Sequence, residues 1–197
     1  MIRLALAALL LLFITPASAA PAPTAGLVKV LLRTEAGSII VAVDTRRAPI
    51  TASNFLRYVD AHKFDGMTFY RAARSKSRPG VGLVQGGINN RVANSFFPIR
   101  HEPTTVTGLR HTDGTLSMAR FDPGSAMGDF FVCLGDAPTL DASPGYPGYA
   151  AFGHVVSGID IVRRIMTLPT YPGGLSAATM GQTLVRPVRI LSAQRIR

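Results

Sequence analysis

From Leu27 to Thr34 apolar and polar side chains alternate, with Val28, Val30 and Leu32 on one face and Lys29 and Arg33 on the other. Ile39 to Val43 returns after the turn residues Glu35-Ala36-Gly37-Ser38, so a hairpin is predicted. Pro49 then opens a helix, because the N–H that proline lacks has no intrahelical partner in a first turn. Ile50, Phe55, Tyr58, Val59 and His62 fall on one stripe of it, and His62 and Lys63 suit the negative end of its dipole. Beyond Gly66 the pattern turns to strands, read at 67–71, 82–86, 97–101, 114–119, 129–134 and 150–156. Loops of Gly, Pro, Asn, Asp and Ser separate them. A second helix is expected from Ser157, with Asp160 three residues on in a capping-box-like pair. Val185 to Ile196 reads as a last strand, expected to pair with the first. About eight short strands and two helices, with no repeat and no internal linker, predict a mainly β chain closed into an antiparallel barrel.

The first residues do not fit that pattern. Arg3, an apolar run from Leu4 to Ile14 and the small residues Ala17-Ser18-Ala19 read as a secretory signal over 1–19. The run is short of the roughly 20 residues a membrane span needs. Residues 20–26 read as a tail and 27–197 as one domain. The expected location is a periplasm or another exported compartment, with no membrane attachment once the signal is removed. A retained anchor is the alternative. Cys133 is the only cysteine, which excludes an internal disulfide; it lies in an apolar run and reads as a buried, inert thiol. The net charge of +10 is almost all arginine, with lysines only at 29, 63 and 76. These charges are scattered, without runs or interleaved aromatics, so no specific nucleic-acid partner is expected.

Candidate chemistry comes from strand faces. Successive strand residues point to opposite sides, so Arg71 is expected to face away from Tyr70, and Leu83 and Gln85 to share a face that Val84 does not. If Val84, Met118, Phe130 and Val132 fill the barrel, the outer faces carry Arg71, Leu83, Gln85, Ala119, Asp129 and Phe131. That is an apolar floor rimmed by a guanidinium, an amide and a carboxylate. Gly86 and Gly87 after Gln85 permit close approach of a backbone. Neither CxxC nor HExxH occurs, nor a phosphate-binding glycine loop. Ser117 has no His and Asp partners that spacing identifies, and His101, His111 and His154 have no metal-ligand spacing. No metal and no cofactor are expected.

Several stretches together resemble the cyclophilin family of peptidyl-prolyl cis-trans isomerases: Phe69-Tyr70-Arg71, Gln85-Gly86-Gly87, Gly114 to Ala119, Phe130-Phe131-Val132, Leu140-Asp141 and Ala151-Phe152-Gly153. They occur in the family's order and look most like its exported bacterial members. The resemblance implies a closed eight-stranded antiparallel barrel capped by two α-helices. It implies rotation of X-Pro bonds in the folding of exported proteins, with proline-containing polypeptide segments as partners and a monomeric enzyme. Arg71 matches the catalytic arginine and Gln85 the residue that contacts the substrate backbone. Leu83, Phe131 and Leu140 match the proline pocket, Ala119 and Arg120 the segment that holds the peptide before proline, and Tyr149 a pocket residue usually histidine.

The departures define the alternatives. Val81-Gly82 stands where a phenylalanine usually precedes the Leu83 position, and Thr139 where many members have an aromatic. Arg120 replaces an asparagine. Asp129 replaces a glutamine and is expected near Arg71, either holding the guanidinium by an ion pair or drawing it from the proline nitrogen. Arg74, Lys76 and Arg78 lie on a long loop bordering the site. A catalytically weak peptide-binding chaperone or scaffold of the same fold is the alternative function.

Overall fold

A computed structural model of the chain describes residues 26–89, 91–174 and 176–197. The signal reading of 1–19, and all of the tail but residue 26, lie outside the described residues. β1 (Leu27–Thr34) and β2 (Gly37–Asp44) form the hairpin the alternation predicts, in register from Leu27 opposite Asp44 to Thr34 opposite Gly37. α1 (Pro49–Asp60) follows, then β3 (Thr68–Arg74), β4 (Gly82–Gly87), the one-turn α2 (Thr104–Thr107), β5 (Thr115–Met118) and β6 (Phe130–Leu134). β7 (Ala150–Ser157), α3 (Ile159–Thr167), the two-residue β8 (Thr170–Tyr171) and β9 (Thr183–Ile196) complete the chain.

Every strand pairing is antiparallel, and the order β1-β2-β7-β5-β6-β4-β3-β9 returns to β1, with Lys29 opposite Ile196 and Leu32 opposite Ala193. Eight strands therefore close a barrel, and β8 hangs on the outside of β9. Closure leaves no unpaired strand edge in the ring. Val84, Met118, Phe130 and Val132 are buried in one continuous core with Val30, Leu32 and Val41, as the alternation implied. α1 and α3 add Phe55, Tyr58, Val162 and Ile165 to that core. The Phe55 ring stands edge-on to Phe130, centroids 5.3 Å apart, a favoured aromatic geometry.

The start of α1 is held from far along the chain. Ala48 offers no side-chain cap, and Pro49 leaves the N–H groups of Ile50 and Thr51 to be satisfied. The carboxylate of Glu102, itself buried, accepts both, Oε1 from Ile50 at 3.1 Å and Oε2 from Thr51 at 2.6 Å. A negative charge there also meets the positive end of the helix dipole. Glu102→Ala is expected to destabilise the fold by about 1–2 kcal/mol, as the loss of a helix cap does. The measurement is a shifted denaturant midpoint at unchanged slope.

Three local expectations are corrected. Residues 97–101 are not a strand: a single bridge joins Ile99 to Ala126, Pro98 has no N–H for a ladder, and Phe97 is 90% exposed. α3 is not opened by a capping box. Ser157 is the last residue of β7, and Gly158 caps the helix at φ +82°, where a Cβ would lie 2.4 Å from the Ser38 carbonyl oxygen. α1 ends at Asp60, so His62 lies beyond its stripe, exposed, with its ring nitrogen 3.1 Å from Asp65.

Candidate active site

The site is built around a bulge in β3. Phe69 pairs with Gly86 and Arg71 with Gln85, so Tyr70 has no partner in β4, and the register against β9 shifts at the same place. An extra residue in a strand re-aims the side chains beside it. Phe69 and Ala72 are buried inward, and Tyr70 and Arg71 both face the outside. Strict alternation put Tyr70 opposite to Arg71; the bulge overturns it.

Directly opposed strand residues share a face, and here they form a row across the sheet: Arg71 opposite Gln85, Gln85 opposite Phe131, Phe131 opposite Ser117. Arg71 and Phe131 are thus two strands apart, about 10 Å at the usual strand spacing, with the Gln85 amide between them. Two glutamines hold the guanidinium: Nη1 donates to Gln85 Oε1 at 2.7 Å and Nε to Gln182 Oε1 at 2.8 Å. Gln182 Nε2 in turn donates to the Ala178 carbonyl. Burial lowers the Arg71 pKa, but a guanidinium stays charged at any working pH. Among the described residues its Nη2 has no protein partner.

Asp129 does not pair with Arg71, and at 5% exposure it is not on the rim. This corrects the ion pair expected between Asp129 and Arg71. Its Oδ1 accepts the Asn89 backbone N–H at 2.7 Å and the Tyr70 hydroxyl at 3.1 Å, and Gln85 Nε2 donates to that hydroxyl at 2.6 Å. Burial, and then the charge of Asp129, raises the Tyr70 pKa, so the phenol keeps its proton. The close approach at Gly87 is made by the chain itself: at φ +125° a Cβ would lie 2.3 Å from the Gly128 carbonyl oxygen, just before Asp129.

Phe131, at 3% exposure, is the floor. Tyr149 meets it edge-on at 5.5 Å, and His111 stacks behind it at 6.2 Å. Leu83 is half-buried on the same face, opposite Cys133. Leu140, half-buried on the 138–140 turn, accepts the Tyr149 N–H through its carbonyl at 2.9 Å. Ala119 is half-buried just past β5, its N–H on the Asp129 carbonyl. Arg120 has a larger role than its backbone: Nε and Nη2 donate to the Gly148 carbonyl, and the guanidinium lies 4.8 Å over the Tyr149 ring. It braces the wall that Tyr149 forms.

Behind the floor is an arrangement that spacing did not reveal. His111 Nδ1 lies 2.7 Å from Asp141 Oδ1, and His111 Nε2 lies 2.9 Å from Ser117 Oγ. Nδ1–H donates to the carboxylate and Nε2 accepts the serine proton, the tautomer the carboxylate selects. Burial lowers the His111 pKa, and the Asp141 bond only partly opposes it. A Ser-His-Asp set cleaves acyl bonds only when the serine oxygen reaches substrate; Ser117 is fully buried. The triad is a brace under Phe131. Cys133 is buried, its thiol pushed up to about 12 by burial. Among the described residues no group of three or more His, Cys, Asp or Glu is placed to hold a metal ion.

Tyr70, Gln182 and His111 are therefore the residues of this face that sequence reasoning missed. The family model described as "Cyclophilin type peptidyl-prolyl cis-trans isomerase/CLD" matches residues 29–195. A peptidyl-prolyl cis-trans isomerase of Acinetobacter baylyi is 35% identical, over 83% of this chain and 82% of its own length. Peptidyl-prolyl cis-trans isomerase A of Dickeya dadantii is 35% identical over 79% of this chain and 78% of its own. A Cryptosporidium parvum cyclophilin-type isomerase solved in the presence of the dipeptide Ala-Pro superposes with a TM-score of 0.66 at 17% identity, covering 86% of this chain and 99% of that one. Barrel, site and relatives agree, and the chain belongs to the cyclophilin-type peptidyl-prolyl cis-trans isomerase family.

Proposed function

We propose that this chain accelerates X-Pro bond rotation in the folding of exported proteins, as a monomer, with Arg71 as the donor to the proline nitrogen. The observation that carries it is a guanidinium held on its Nε and Nη1 sides by Gln182 and Gln85, with Nη2 left for a ligand. A planar X-Pro amide shares the nitrogen lone pair with the carbonyl, and rotation costs about 18–20 kcal/mol. As the bond twists, that pair localises on nitrogen. A donor aimed there stabilises the twisted state more than either planar one, which is what catalysis requires. Phe131 and Leu83 would seat the ring, Gln85 the backbone on the Arg71 side, and Ala119 and Arg120 the residue before proline. The Cryptosporidium relative's structure, solved in the presence of Ala-Pro, supports a proline-containing ligand. The apolar run Leu4 to Ile14 supports export.

The second reading, a peptide-binding module with weak catalysis, is favoured by the small exposure of Phe131, whose ring Tyr149 meets edge-on. A protease-coupled assay on the purified chain with an Ala-Pro-containing peptide decides between them. The isomerase reading expects concentration-dependent acceleration of the cis-to-trans phase. Peptide binding without acceleration would leave the module reading.

A further inference from the structure

The hydrogen bonds that end on Arg71 have a direction, and it is set at their far end. We propose that Asp129 is a positioning residue for this site: acting through Tyr70, it makes Gln85 present its carbonyl, and not its NH2, to Arg71. The proposal rests on the isomerase reading and says how that site is kept in order. Asp129 Oδ1 accepts the Asn89 backbone N–H, a bond that runs only one way. The same oxygen takes the single proton of the Tyr70 hydroxyl. With its proton so placed, the Tyr70 oxygen meets Gln85 only as an acceptor. Gln85 therefore turns Nε2 to Tyr70 and Oε1 to Arg71 Nη1.

The two ends of an amide have nearly the same shape, so packing alone does not choose between them. Were Tyr70 free to donate to Gln85, its proton would compete with the guanidinium for Oε1, and one of the two anchors of Arg71 would be weakened. The raised Tyr70 pKa keeps the phenol protonated, so the order holds throughout the working pH range. The bulge is the precondition: only because Tyr70 and Arg71 both face outward do they flank one amide.

The test is a double-mutant cycle on the full chain. Tyr70→Phe and Asp129→Ala are each expected to lower kcat for an Ala-Pro peptide about fivefold, as loss of one hydrogen bond does, with KM within about twofold. The double variant falls no further than the lower single, because Tyr70 is the link from Asp129 to the Gln85 amide. A wild-type kcat in either single variant, or losses that multiply in the double, overturns the proposal. Should Asp129→Ala not fold, Tyr70→Phe keeps the ring and the Asp129–Asn89 bond, and its kcat decides. NMR reads the same order without turnover: the Gln85 side-chain NH2 protons exchange slowly in the wild type and fast in Tyr70→Phe. Equal exchange in both overturns the proposal. A wild-type chain that does not accelerate isomerisation overturns the isomerase reading instead, and the exchange measurement then stands alone.

Discussion

Arg71→Ala lowers kcat/KM for isomerisation of an X-Pro peptide by at least about tenfold, a loss of about 1.4 kcal/mol or more of transition-state stabilisation. Removing one donor from a preorganised site costs more than that in acyl-transfer enzymes; the lower bound reflects a half-exposed side chain whose place water can partly take. Folding is expected to be little affected. The variant leaves the Gln85 and Gln182 carbonyl oxygens without their donor, but both residues stand on a face that water reaches. Arg71→Lys recovers only part of the loss, because an ammonium cannot span two glutamines and still offer a planar fork. The protease-coupled assay, paired with a melting curve, separates rate from stability. An Arg71→Ala chain that keeps the wild-type rate would remove the guanidinium from the mechanism.

His111→Ala is expected to be the most destabilising single change near the site, by about 2–3 kcal/mol, because the buried Ser117 hydroxyl is left without its partner and Asp141 keeps the residue-111 backbone N–H but loses the ring donor. Ser117 Oγ loses its acceptor and Asp141 Oδ1 its ring donor, and Phe131 loses the ring stacked behind it. The same residue gives the fold a pH dependence. Its folded pKa lies below its unfolded value of about 6.5. Below that pH the unfolded chain takes up a proton that the folded chain refuses, so stability is full above about pH 6.5 and falls as the pH drops. The melting temperature should decline from pH 7 to 5, and His111→Gln should flatten that part of the profile. A profile equally steep in His111→Gln would assign the acid sensitivity to other groups.

What could be read beforehand was whatever repeats along the chain. Alternation in Val28, Val30 and Leu32, and the inward set Val84, Met118, Phe130 and Val132, carried the barrel and its core. The outward row Arg71, Gln85 and Phe131 was legible for the same reason. Periodicity has no means of announcing its own interruption, so the bulge that turns Tyr70 to the side of Arg71 was invisible. The partner of Asp129 was misassigned with it: the carboxylate meets the phenol that alternation had sent elsewhere. Residues 97–101 differ in the opposite sense: their apolar pattern predicts a strand, but Pro98 cannot donate to one, and only the Ile99–Ala126 bridge forms. Gln182 reaches Arg71, Glu102 reaches Ile50, and His111 joins Ser117 to Asp141 only after the barrel has closed. Separations set by topology leave no local spacing to find.

The seam between β1 and β9 governs when the protein can mature during synthesis. While residues 183–196 are still inside the ribosome, the first strand lacks one of its two neighbours, and Val30 and Leu32 belong to a core that is not yet enclosed. High contact order of this kind folds in milliseconds to seconds, not microseconds. Until β9 is available, the edges of β1 and β3 stay open, and open edges are where one chain pairs with another.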